Sequence, residues 1–277
     1  MSIKIRNLTV NPNPLIASDI LPVDPSATAT TVSNTVHDII NCGPSNVASG
    51  THARTIGNAN TASGNASVCL GYNNISSGLE SIAIGSTNTS AGQISVTIGQ
   101  ANSAGGYCSK CIGYGNYAAG DISSAIGYQA VTVNYNETAI GFNVNSISLC
   151  QSGIVGFSTT TTNNTPLRMY LDGLSATQYF IVSINTVYRV RVYVTAIDAT
   201  GEIATFSGAG TLLNNAATVT LVSALSMTLI ESTGAMSAAS VAVTADNTNK
   251  ALNITVTGIA SNVKWIARID YDAVSIT

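Results

Sequence analysis

The chain is constrained most by an internal repeat of fourteen residues. An aliphatic residue followed by glycine recurs as Ile56-Gly57, Leu70-Gly71, Ile84-Gly85, Ile98-Gly99, Ile112-Gly113, Ile126-Gly127 and Ile140-Gly141; Val155-Gly156 follows after a step of fifteen. A second glycine ladder with the same period runs through Gly50, Gly64, Gly78, Gly92, Gly106 and Gly120, and Asn134 takes the next rung. Asparagine is the residue best able to replace glycine at positive φ, so that rung is read as a left-handed position. A third ladder is Asn60, Asn74, Asn88, Asn102 and Asn116.

The two glycine ladders lie seven residues apart, which gives each repeat two turns and two strands of about four residues. Glycine at that spacing, with Ser, Thr and Asn between, would interrupt any helix. The pattern predicts a coil in which each strand stacks in parallel on its equivalent one repeat later. Eight coils at about 4.8 Å each make a rod of roughly 38 Å. So small a perimeter encloses almost no core, and the aliphatic column is therefore expected to pack against another chain.

Charged residues are 8% of the 277, with 10 Lys+Arg against 13 Asp+Glu. Soluble domains ordinarily carry about 25%. That leaves few groups for acid–base chemistry and no basic excess to neutralise nucleic-acid phosphates. No apolar run approaches a membrane helix, and the start, Met1-Ser-Ile-Lys-Ile-Arg-Asn7, is not that of a secretory signal. Residues 55–165 hold only Glu80, Lys110, Asp121 and Glu137, whereas 166–277 hold thirteen charges. This shift divides the chain into segment 1–43, a repeat region 44–157, a Thr/Asn-rich linker 158–165 and a tail 166–277. Uncharged columns suit a stacked coil, because neighbouring rungs would bring like charges together.

Ser81-Ile-Ala-Ile-Gly85, Ser95-Val-Thr-Ile-Gly99 and Ser123-Ser-Ala-Ile-Gly127, each with a second glycine seven residues on, resemble the head repeats of trimeric autotransporter adhesins. The resemblance covers roughly residues 45–157. It implies a left-handed parallel β-roll, a β-solenoid in which three chains pack side by side as a homotrimer. The aliphatic rungs Ile56 to Val155 then form the trimer core. The adhesins' signal peptide, coiled-coil stalk and C-terminal membrane-barrel segment have no counterpart here.

Towards the N-terminus, Ile3, Ile5 and Leu8 read as a weak strand, and Ile20-Leu-Pro-Val-Asp24 as extended. Val32, Val36, Ile39 and Ile40 define one helix face, ended at Asn41-Cys-Gly43. The run Ile3-Lys-Ile-Arg-Asn-Leu8, Ala17-Ser-Asp-Ile-Leu-Pro-Val-Asp24, Val32-Ser-Asn-Thr-Val-His-Asp-Ile-Ile40 resembles the docking segments of bacteriophage tail-fibre and virion appendage proteins. An amphipathic cap on the first coil is the alternative. The tail alternates as β-strands: Val190, Val192, Val194 and Ala196 on one face, Arg189, Arg191, Tyr193 and Thr195 on the other. Six to eight such strands predict a β-sandwich or jelly-roll-like knob. The ending from Ala251 to Val274 resembles C-terminal domains at the tips of phage tail proteins.

Conventional chemistry finds little support. Cys108-Ser-Lys-Cys111 lacks a second ligand pair for zinc, and by register Cys69 and Cys111 occupy the small-residue position of Ala83, Thr97 and Ala125. His37 and His52 stand outside any nucleophile motif. Glu80, Asp121 and Glu137 fall at offsets −5, −6 and −4 from their repeat glycines, a carboxylate pair only if different chains bring them together. Asp270 and Asp272 read as solvated edge residues. The Thr55 position continues as Cys69, Ala83, Thr97 and Cys111, which is no ice-binding threonine array. Tyr193, Trp265 and Tyr271 are the candidates for stacking on a sugar.

Together these readings predict an all-β virion fibre that is not an enzyme and needs no catalytic residue, metal or cofactor. Residues 1–43 dock on other virion proteins, the solenoid spaces, and the C-terminal domain binds a host surface glycan or protein. Assembly in the host cytoplasm is expected, without nucleic acid or membrane insertion. The alternatives are a capsid decoration fibre, or a polysaccharide-degrading tailspike.

Overall fold

A computed structural model describes residues 40–142, 150–174 and 177–275. The strand and helix expected within 1–39 lie outside the described residues, and so does His37. The described chain is all-β, with one short 3-10 turn at Gly234–Ala238.

Residues 40 to 142 form a β-solenoid of about seven turns. Each coil has a five-residue strand, such as Ile82–Ser86, and a two-residue strand, such as Thr89–Ser90. The long strands stack in parallel with a register of fourteen, Ile84 on Ile98 and Gly85 on Gly99. Repeating begins one coil before the ladders read from sequence: Ile40–Cys42 is a strand paired with Arg54–Ile56. Ile40 therefore belongs to the first coil, not to the end of a helix.

The two glycine ladders exist for different reasons. Gly85 has a φ of +116°, and a Cβ there would lie 2.0 Å from the carbonyl oxygen of Gly99. Gly78 is not left-handed, yet its Cβ would also meet the next coil's carbonyl at 2.0 Å. Crowding alone demands glycine in that second column. Asn134 fills it with no short strand stacked beyond it among the described residues, and like the rest of its column it has no positive φ, which corrects the left-handed reading of that rung.

The left-handed corners lie elsewhere, seven residues apart: His52, Ala59, Ala66, Asn73, Glu80, Thr87, Ile94 and onward to Asn136. From Ala59 onward the N–H turns back onto the preceding coil, as from Ile94 to Leu79 O at 2.8 Å and from Ile122 to Tyr107 O at 2.7 Å. The stack holds even β-branched side chains in a region they normally avoid.

Inside the coil only small side chains fit. Cys69, Ala83, Thr97, Cys111, Ala125 and Ala139 are buried in one column. Burial pushes the Cys69 thiol up to about 11 and the Cys111 thiol up to about 12. Cys108, by contrast, sits at a left-handed corner. The buried asparagines make a continuous ladder. Asn88 Nδ2 lies 2.8 Å from Gly99 O and 2.9 Å from Ile84 O, and its backbone N–H donates to Asn74 Oδ1 at 3.0 Å. Every rung thus satisfies polar groups that the turns leave without ladder partners.

Beyond Phe142 the sheet of long strands continues. Cys150–Thr161 pairs antiparallel with Thr138–Gly141 on one side and with Val263–Ser275 on the other. Thr186–Asp198 and Ile203–Asn214 follow, and Val219–Leu221 and Thr228–Ser232, both paired with Ile203–Asn214, complete a 14-stranded sheet. The expected linker 158–165 accordingly begins as strand: Ser158 to Thr161 pair with Ile266 to Val263. Val155 is fully buried on the inner side of that strand, so it is no rung of the outward ladder. A four-stranded sheet with Ala251–Thr257 at its centre shares the core, which includes Phe180, Val192, Leu252, Ile254 and Trp265.

Candidate functional site

Two features stand out, an apolar outer sheet face and a buried polar junction. In each long strand the residues two before glycine turn inward and those on either side turn outward. The rungs Ile56, Ile84, Ile98, Ile112, Ile126 and Ile140 are consequently 36% to 53% exposed, and Leu70 is half-buried. Val68, Ile82 and Val96 flank the column on one side. Tyr72, Tyr114, Tyr128 and Phe142 flank it on the other, with the Tyr114 and Tyr128 rings stacked at 5.0 Å. Among the described residues this stripe is open to solvent. A contiguous apolar face of this length is uncommon on a monomer.

The same face runs on into the antiparallel strands. Ile140 pairs with Ser152, Ser152 with Asp272, and Asp272 with Arg189. One row over, Thr138 leads to Ile154, Asp270 and Arg191. Asp270 and Asp272 thus occupy an interior strand rather than a sheet edge. The Arg268 guanidinium pairs with Asp270 at 2.8 Å and lies 5.0 Å over the Tyr193 ring.

At the junction, side chains meet the donors of the last short strand among the described residues. Within the stack, Gly120 N–H donates to Thr132 O of the following coil. In the last coil Val133 and Asn134 N–H donate instead to Glu137 Oε2, at 2.9 and 3.0 Å. Gln151 imitates a strand residue, accepting from Val131 N–H and donating to Val131 O, both at 2.8 Å. Asn134 Oδ1 accepts from Ile181 N–H at 2.6 Å. The Tyr271 hydroxyl bonds Glu137 Oε1 and accepts from Gln151. Gly153 leaves room for that phenol, since a Cβ there would fall 2.3 Å from the ring.

Glu137 occupies the column held by Ser81, Ser95, Ser109 and Ser123 in earlier coils, and is buried. Burial pushes its carboxyl above the usual carboxylate range, against the donors from Tyr271, Asn134 and Val133. Burial, and then the neighbouring Glu137, raise the Tyr271 phenol well above its ordinary value.

The structure separates the sequence candidates. Glu80 is exposed at a corner, Asp121 accepts a bond from Tyr107 N–H, and Glu137 is sealed in the junction, so one chain brings no two together. Trp265 and Tyr271 are 2% and 3% exposed, which withdraws both as sugar-stacking residues. Odd-numbered positions of Val263–Ser275 face inward, and Trp265 Nε1 donates to Thr161 Oγ1 at 2.9 Å. Of the three only Tyr193 lies on the surface. The junction was overlooked in the sequence, although a lone glutamate in a serine column at the last coil was its signal.

No family model matches the chain, and no curated protein does. Among solved structures it is similar to the tailspike protein of Acinetobacter phage vB_ApiP_P1, at 12% identity and a TM-score of 0.20. The match covers 90% of this chain and 61% of that one, so the chain spans about three fifths of the tailspike's length.

Proposed function

We propose that the chain is a homotrimeric bacteriophage fibre that acts in attachment to the host surface. The observation that carries this reading is the exposed aliphatic column. Seven stacked rungs present an apolar stripe along one face, and burial against equivalent stripes offsets its contact with water by about 1 kcal/mol per rung. The solenoid is then a spacer. The residues of segment 1–43 that precede the first coil hold it on the virion, as their resemblance to appendage docking segments implies. The C-terminal strands are the distal knob, placing Tyr193 and its charged neighbours toward a surface glycan or protein. Three copies give such a site avidity without strong single contacts.

Antibody to the C-terminal region is expected to decorate the free end of an appendage on intact particles and to block adsorption. Decoration without any effect on adsorption would favour a capsid or minor structural fibre. Release of reducing ends from host polysaccharide by the purified chain would replace attachment alone with a tailspike activity.

A further inference from the structure

We infer that contact between copies continues beyond the solenoid, across the outer face of the C-terminal strands, where Arg189 and Arg191 of one copy pair with Asp272 and Asp270 of the next. This rests on the homotrimer reading above and extends it to named polar partners.

The strand register points to this contact. The isoleucine row runs without interruption through Ser152 and Asp272 to Arg189, so a partner seated on Ile126 and Ile140 is led directly onto the charged rows. Among the described residues the ion pairs are Arg168–Asp246 and Arg268–Asp270. Arg189, Arg191 and Asp272 stand outside them, while Asp270 is held by Arg268. Both arginines and Asp272 are exposed, and Asp272 accepts a hydrogen bond from Ser152 at 2.6 Å. A hollow of about 300 Å³ lies over these rows, its lining including Ile140, Ser152, Arg189, Arg191, Asp270 and Asp272.

The arrangement also fits one symmetry. The arginines lie on Thr186–Asp198 and the aspartates on the adjacent Val263–Ser275, whose outer face also carries Lys264 and Arg268 farther along, so at the rows of Asp270 and Asp272 one strand is positive and its neighbour negative. In a cyclic trimer each copy turns one side to one neighbour and the other side to the next. Two arginines then meet two aspartates in every interface. Exposed Ile154 and Ile266 among the charges give the face the mixed character of an interface rim.

The test uses the full chain in two single variants, Asp272→Arg and Arg189→Asp. Each alone places like charges across every interface and is expected to lower the melting temperature by about 2–4 °C. Co-expressed with different tags, the two variants form mixed assemblies. In these the arginine introduced in one chain faces the aspartate introduced in its neighbour, while each chain keeps its own like-charged pair. Mixed assemblies that melt above both single variants support the inference. A mixture that melts as the two variants separately overturns it, because the charges then pair within each chain. Reversals that leave the melting temperature unchanged yet abolish binding to an anionic polysaccharide overturn it in favour of a ligand site. A monomeric wild-type protein removes the homotrimer reading itself, an outcome distinct from a trimer without rescue.

Discussion

Residues of opposite conformational demand stand close together in each coil. Gly85 is held at φ +116° under the carbonyl of Gly99, whereas Ile94 adopts φ +58° with a branched side chain. Gly85→Ala is expected to cost at least about 3 kcal/mol, because both the dihedral and the space refuse a methyl group. Ile122→Asn, at another left-handed corner, is expected to gain about 1 kcal/mol, since asparagine tolerates that region. Thermal melting of the two variants checks the pair, one transition falling and the other rising. The glycines were legible in the sequence because crowding leaves no substitute. The left-handed corners were not, because stacking there overrides local preference and leaves Ala, Thr, Cys and Ile in place with no compositional mark.

At the scale of elements, side chains imitate a coil beside the last short strand of the described solenoid. Glu137 and Gln151 take the backbone donors of the last short strand, and Tyr271 ties them to the C-terminal strands. Glu137 has a raised pKa in the folded protein, so its contribution is fully present below its ordinary value of 4.5 and is lost as pH rises through the folded value. Glu137→Gln retains an acceptor for Val133 and Asn134 and cannot ionise. The variant is therefore expected to match the wild type near pH 4 and to exceed it increasingly towards neutrality, by at most about 1.4 kcal/mol per pH unit across that window. Parallel denaturation curves from pH 4 to about pH 8 measure this; a constant difference would mean that Glu137 titrates normally. The sequence marked this element only faintly. It placed Val155 on the ladder because a fifteen-residue step resembles fourteen, but the odd step and the antiparallel pairing of its strand carry that side chain into the core.

Across the whole molecule, one sheet joins the uncharged repeat to the charged tail, a continuity that the shift in composition concealed. The alternation along Thr186–Asp198 and the fourteen-residue ladder were both readable, since each follows from a strict period. What joins them was not readable, since it depends on the pairing of Cys150–Thr161 with strands more than a hundred residues later. In the proposed fibre the isoleucine column is a surface shared by three chains. Ile98→Asp puts three carboxylates into that column, at a cost of several kcal/mol, and should abolish assembly. The native mass of the full chain by light scattering tests the claim most directly. Three chains of 28.3 kDa give about 85 kDa, expected for the wild type and lost in Ile98→Asp; a folded wild-type protein of one chain's mass would contradict it.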